Sequence, residues 1–225
     1  MIAQRIICIV LGYFFGLIEM GYILGKIKNI DIRDFGSGNS GTTNTMRVLG
    51  KKAGLITFFV DALKAVFCGL LVYALFHKSC ENIMFVLLLY SGFGVILGHN
   101  FPFYMKFKGG KGIAASAGMI TSLAIYDWKF VVLGFFVFFI SLYITKYVSF
   151  SSLMLMGSLL IEMIVWGQLG MVHNLNPECR IEAYIITGLM TALAFIRHKD
   201  NIKRLANRKK NWRKEGGIIC QRLQY

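Results

Sequence analysis

A chain of 225 residues has room for one domain or one membrane bundle. Its hydrophobic share of 56% and mean hydropathy of +0.60 exceed the roughly 45–50% apolar content of soluble domains, which excludes an ordinary soluble fold. The formal net charge of +14 would suit nucleic acid, but the basic residues gather at the ends of apolar runs, as membrane topology requires.

Seven apolar segments follow in chain order: 2–24, 53–76, 82–97, 113–126, 130–145, 148–170 and 181–196. The first lacks a small-residue cleavage site and is long enough to cross a bilayer, so a retained helix is expected rather than a signal peptide. It contains Glu19, close enough to its end to reach the interface, and no role is assigned to this acid or to Glu162.

A polar block comes next, Gly36-Ser37-Gly38-Asn39-Ser40-Gly41-Thr42-Thr43-Asn44-Thr45-Met46-Arg47. Glycine lets backbone N–H groups approach an anion, small polar side chains add donors, and Arg47 offers a bidentate fork for phosphate. The same residues would also serve as a turn-rich, capped entry to the next helix. In segment 53–76, Asp61 and Lys64 stand at i,i+3 and share a helix face, either as a brace for the bundle or as functional groups.

Segment 82–97 runs into a second block, Gly98-His99-Asn100-Phe101-Pro102-Phe103-Tyr104-Met105-Lys106-Phe107-Lys108-Gly109-Gly110-Lys111-Gly112. Its last five residues precede an apolar segment, which places their N–H groups at a helix N-terminus where the dipole favours anions. It is not a Walker A loop, because Gly112 follows Lys111 where Ser or Thr is required, and no βαβ context exists for a dinucleotide fingerprint. His99 beside such a loop is either structural or catalytic. Segments 113–126 and 130–145 are short for a span of ~20 residues, and the Gly/Ala/Ser-rich first of them crosses only if tightly packed.

After segment 181–196 the tail opens with His198-Lys199-Asp200-Asn201-Ile202-Lys203-Arg204-Leu205 and stays basic, as a solvated helix end near anionic lipid or a partner to the other blocks. The five cysteines make no CxxC or Cys/His metal spacing. With seven spans and the N-terminus outside, Lys and Arg concentrate inside, leaving only Arg5, Lys78, Lys129 and Arg180 outside and Lys64 within a span. This topology puts both glycine blocks and the tail on the cytoplasmic face.

Three elements in fixed order resemble the bacterial acyl-phosphate:glycerol-3-phosphate acyltransferases of the PlsY type. Residues 36–47 fit GSGNxGxTNxxR, residues 98–114 fit GHxxPxFxxFKGGKGxA except for Tyr104, and residues 198–205 fit HxxNIxRL. The resemblance implies a single domain over 1–225, with an all-α, seven-helix membrane bundle over 1–197 and a basic cytoplasmic tail over 198–225. It implies a bacterial cell (inner) membrane location with the active site facing the cytoplasm. The implied reaction moves a fatty acyl group from acyl phosphate to the sn-1 hydroxyl of glycerol 3-phosphate, giving lysophosphatidate and phosphate. No metal, nucleotide or thioester cofactor and no nucleic acid partner is implied, whereas membrane lipid and an enzyme that makes acyl phosphate are.

The catalytic residues expected are His99, Lys111, Arg47 and His198; phosphate binding falls to Ser37, Gly38, Asn39, Thr43, Asn44, Lys108, Gly109, Gly110, Gly112, Asn201 and Arg204. Two departures stand out: Lys210 sits where the family has an acid, with Glu215 the nearest one, and Leu17 and Glu19 replace a serine–proline step. Two rival readings are a transporter of a phosphorylated metabolite and a catalytically weak paralogue that binds without turnover.

Overall fold

The computed structural model describes residues 2–214, with side chains described through 207. Ten α-helices account for its architecture, and no strand occurs among the described residues. They are α1 (Ile2–Gly16), α2 (Met20–Ile27), α3 (Thr42–Leu49), α4 (Lys51–Phe76), α5 (Met84–Asn100), α6 (Ile113–Leu123), α7 (Lys129–Thr145), α8 (Val148–Gln168), α9 (Arg180–Arg197) and α10 (Lys199–Lys214). All seven apolar segments are helical. Five stretches are long and apolar enough to cross a membrane: Ile2–Ile27, Lys51–Phe76, Glu81–Met105, Val148–Gln168 and Pro177–Arg197. Helices α6 and α7, of 11 and 17 residues, fall short of that length.

Helix α5 is apolar on every side and is accordingly buried on every side, at the centre of α1, α4, α6 and α9. It meets α1 through two small-residue steps, Gly12 to Gly16 facing Gly94 to Gly98. A Cβ at Gly12 would collide with the Ser91 carbonyl and one at Gly16 with the Val95 carbonyl, so the two backbones touch directly. At the far end, Glu182 of α9 accepts from Arg5 of α1 and from the Tyr90 hydroxyl of α5 (2.7 Å), fastening the three helices. Helix α7 is equally apolar but turns Phe135, Phe136, Phe139 and Tyr143 outward, a face suited to lipid tails.

Segment 2–24 departs from expectation. It breaks at 17–19 and resumes as α2, and the break survives without proline because other elements supply donors for the freed carbonyls. The Lys64 ammonium donates to the carbonyls of Gly16 (3.2 Å) and Ile18 (2.6 Å), and the Tyr104 hydroxyl to that of Leu17 (2.6 Å). The break turns Glu19 inward, so this acid is fully buried rather than at the interface. Lys210 is helical in α10 but lies beyond the described side chains, and Glu215 and Cys220 lie outside the described residues.

Candidate active site

The first polar block folds around Asn44. Its amide nitrogen donates to the carbonyls of Ile32 and Phe35 (both 3.1 Å), while its Oδ1 accepts from the Ser37 N–H (2.7 Å) and, at 3.4 Å, from Arg47. Asn44 therefore spends its hydrogen-bonding capacity holding the loop. What the block presents to its neighbours is the start of α3, where Gly41 supplies no side-chain cap and the N–H groups of Thr42 and Thr43 lack intrahelical acceptors. Arg47 follows one turn later and is exposed.

The second block is held by its own backbone. The Gly109 N–H donates to the Asn100 carbonyl (3.2 Å) and the Gly110 N–H to the His99 carbonyl (3.0 Å), so neither amide is left for an anion. Their carbonyls accept from a residue that sequence reasoning passed over, Arg197 at the end of α9, at 2.9 and 2.8 Å. Arg33, also unassigned, donates to the Met105 carbonyl (3.0 Å) and ties the turn before the first block to the second. Gly112, at a φ of +82° that favours glycine, leads into α6, whose first-turn N–H groups are uncapped.

The third block packs against the second. Asn201 Oδ1 accepts from the Lys111 ammonium. Burial, reinforced by Arg204 and Arg197, lowers the Lys111 pKa to about 8. His198 is buried and its Nδ1 lies 2.8 Å from the Ala194 carbonyl, which fixes Nδ1 as the protonated nitrogen of the neutral ring. Burial is also the main reason its pKa drops to about 4.

These loops enclose a cavity of about 300 Å³. Of the residues expected at the site, Ser37, Asn39, Thr43, Asn44, Arg47, His99, Lys111, Gly112, His198, Asn201 and Arg204 line it. Gly38, Lys108, Gly109 and Gly110 do not. Gly38 forms a turn with its N–H on the Phe35 carbonyl, and Lys108 is exposed. Two helix N-termini, α3 and α6, and the cations Arg47, Lys111 and Arg204 thus converge on one space. Phe58, Ile113 and Phe138 continue its wall into a second, apolar cavity of about 180 Å³ that runs between α6 and α7 past Ala117, Thr121 and Gly134.

Below the cavity lies a knot of buried ionisable groups that the sequence showed only in part. Glu19 accepts from the Ser40 hydroxyl (2.6 Å), and its Oε1 is 2.5 Å from His99 Nδ1. Lys64 binds Asp61 at 2.9 Å and lies 2.9 Å from His99 Nδ1. The Asp61–Lys64 pair was visible as an i,i+3 step, and it braces the bundle by capping broken α1. The one sequence signal for Glu19 was that this pair neutralises itself, leaving an acid in an apolar run without a partner.

Comparison with known proteins places this arrangement. A family model described as glycerol-3-phosphate acyltransferase matches residues 6–208. A glycerol-3-phosphate acyltransferase of Streptococcus gordonii is 34% identical over 211 residues, 92% of each chain. Glycerol-3-phosphate acyltransferase 2 of Lactobacillus johnsonii is 42% identical over 205 residues, 90% of this chain and 84% of the relative. The crystal structure of PlsY, an integral membrane glycerol 3-phosphate acyltransferase, in its glycerol 3-phosphate form superposes with a TM-score of 0.75 at 30% identity, covering 90% of this chain and 92% of that one. Its lysophosphatidic acid form gives a TM-score of 0.72. The chain belongs to the glycerol-3-phosphate acyltransferase family as an integral membrane protein of the PlsY type.

Proposed function

We propose that the protein transfers a fatty acyl group from acyl phosphate to the sn-1 hydroxyl of glycerol 3-phosphate, releasing lysophosphatidate and inorganic phosphate. The observation that carries this reading is the convergence of two uncapped helix N-termini and three cations on a pocket that opens into an apolar groove. Two phosphate-bearing substrates need that much positive potential, and only an acylated one needs the groove. Solved PlsY structures hold glycerol 3-phosphate and lysophosphatidic acid, which matches the proposed acceptor and product.

The glycerol hydroxyl attacks the carbonyl of the mixed anhydride. A C–O bond forms, the acyl–oxygen bond to phosphorus-bearing oxygen breaks, and phosphate leaves with the electron pair. Arg47, Lys111 and the α3 and α6 N–H groups stabilise the charge that develops on the phosphate and carbonyl oxygens. Holding hydroxyl and anhydride together removes much of the entropic barrier. The hydroxyl proton ends on the departing phosphate. Neutral His198 offers the unprotonated Nε2 as an acceptor that orients the hydroxyl, whereas His99 is occupied on its Nδ1 side by the buried knot. The acyl chain lies along α6 and α7 with its end in the bilayer.

In this reading α6 and α7 complete seven crossings, the pocket faces the cytoplasm of a bacterial cell (inner) membrane, and an acyl-phosphate-producing enzyme supplies the reactive donor. The test is a radiolabelled assay in vesicles with glycerol 3-phosphate and palmitoyl phosphate. Lysophosphatidate formation that persists in His99→Ala and His198→Ala but is lost in Arg47→Ala supports the scheme. Loss of all turnover in His198→Ala with folding intact would assign the proton to that side chain instead. Uptake of label without product would make the protein a transporter.

A further inference from the structure

Arg197 is an arginine with an uncommon set of partners. Among the described residues it pairs with no carboxylate, and its only hydrogen bonds go to the carbonyls of Gly109 (2.9 Å) and Gly110 (2.8 Å). The guanidinium carbon lies 5.3 Å from the centre of the Phe101 ring, and its Nε is buried without a partner. Desolvating a guanidinium to serve two neutral carbonyls is unfavourable unless the loop conformation it enforces matters.

The conformation follows from peptide geometry. In a trans peptide the C=O and the next N–H point in opposite directions. With the Gly109 carbonyl drawn to Arg197, the Gly110 N–H must point away, and it does, onto the His99 carbonyl. With the Gly110 carbonyl drawn to Arg197 as well, the Lys111 N–H must also point away from Arg197. That N–H and the N–H of Gly112 have no acceptor among the described residues, and both residues line the cavity. From the first block, Asn39 reinforces the same orientation by donating to the Gly109 carbonyl at 3.3 Å. From below, the His99 ring leaves no room for a Cβ at Gly110.

We infer that Arg197 is a positioning residue: by gripping the carbonyls of Gly109 and Gly110 it turns the amide of Lys111 toward the pocket, where it joins that of Gly112 as a phosphate-binding pair. This rests on the reading of the pocket as a site for phosphate-bearing substrates. It moves the anion-binding part of the second block from its glycines 109–110 to residues 111–112 and the start of α6. It also couples α9 to that loop through a residue that touches no substrate.

The experiment compares the full-length protein with Arg197→Lys and Arg197→Gln in lipid nanodiscs. It measures KM for each substrate, kcat, and the rise in melting temperature produced by inorganic phosphate. Arg197→Gln should raise the KM of one phosphate substrate by at least about tenfold with a smaller change in kcat and in the melting temperature without phosphate. Arg197→Lys, with one point donor in place of a fork, should fall between. The phosphate-induced stabilisation should shrink in the same order. Unchanged KM values and stabilisation would overturn the inference, as would equal rises in both KM values accompanied by a lowered melting temperature. If the wild type makes no lysophosphatidate yet its phosphate stabilisation is lost in Arg197→Gln, the acyl-transfer reading fails while the positioning role stands. If phosphate stabilises neither protein and no product forms, both fall.

Discussion

The pocket and the knot beneath it share His99 and Asp61 yet are built on opposite plans. In the pocket Arg47, Lys111, Arg204 and two helix N-termini face one another across open space, with Asp61 at the edge as the only carboxylate among the lining residues. In the knot Glu19 and Asp61 meet Lys64 and His99 at hydrogen-bonding distance, and the surplus donors of Lys64 go to the carbonyls of broken α1. Charge met by opposite charge at contact distance stabilises a fold. Cations that outnumber the one lining carboxylate leave room for an anion to complete them. On the proposed function, the pocket takes the substrate and the knot holds the fold.

The largest effect should come from unbalancing the knot. Lys64→Met leaves buried carboxylates unpaired and uncaps α1, so a loss of about 3–5 kcal/mol in stability is expected, read as a lowered melting temperature or failure to accumulate. A Lys64→Met protein with normal stability and abolished turnover would reverse the assignment of the two clusters. Arg47→Ala should do the opposite: melting unchanged, with kcat/KM reduced by ~10²–10³ through loss of charge stabilisation.

Lys111 gives a smaller, pH-dependent effect. Its ammonium is present below its pKa of about 8 and lost above it, so phosphate-substrate affinity should be full below that pH and weaken above it. The decline approaches about tenfold per pH unit at most. Arg at this position retains its charge, so Lys111→Arg should remove the alkaline limb, and persistence of the limb would assign it to another group. The smallest effect is expected in the groove. A leucine at Gly134 would project beside Leu155 and narrow the space between α6 and α7, lowering kcat/KM for palmitoyl phosphate relative to a decanoyl donor by roughly threefold to tenfold. Equal effects on both chain lengths would place the acyl chain elsewhere.

The helices were legible because apolar runs of this length have few other stable forms, and the three polar blocks were legible because residues of their kind serve no purpose in an oily chain. The roles within the blocks were less so. Asn44 reads as a phosphate ligand from its type and neighbours, but only the fold shows its donors and acceptors taken by Ile32, Phe35 and Ser37. Gly109 and Gly110 read as amide donors for the same reason, and their amides are bound by the carbonyls of Asn100 and His99 across the loop. Arg197 and Glu19 act across long sequence separations, on Gly109 and on His99, and local spacing carries no trace of such contacts. The break in the first span is likewise set by Lys64, which is nowhere near it in sequence.

The central claim, that this pocket takes two phosphates and the groove takes an acyl chain, is tested most directly by a donor comparison in vesicles. Labelled glycerol 3-phosphate is supplied with either palmitoyl phosphate or palmitoyl-CoA, and lysophosphatidate and free phosphate are measured together. The account predicts lysophosphatidate and phosphate in equal amounts from palmitoyl phosphate and no product from the thioester. Product from palmitoyl-CoA alone, or no product from either donor, would contradict it.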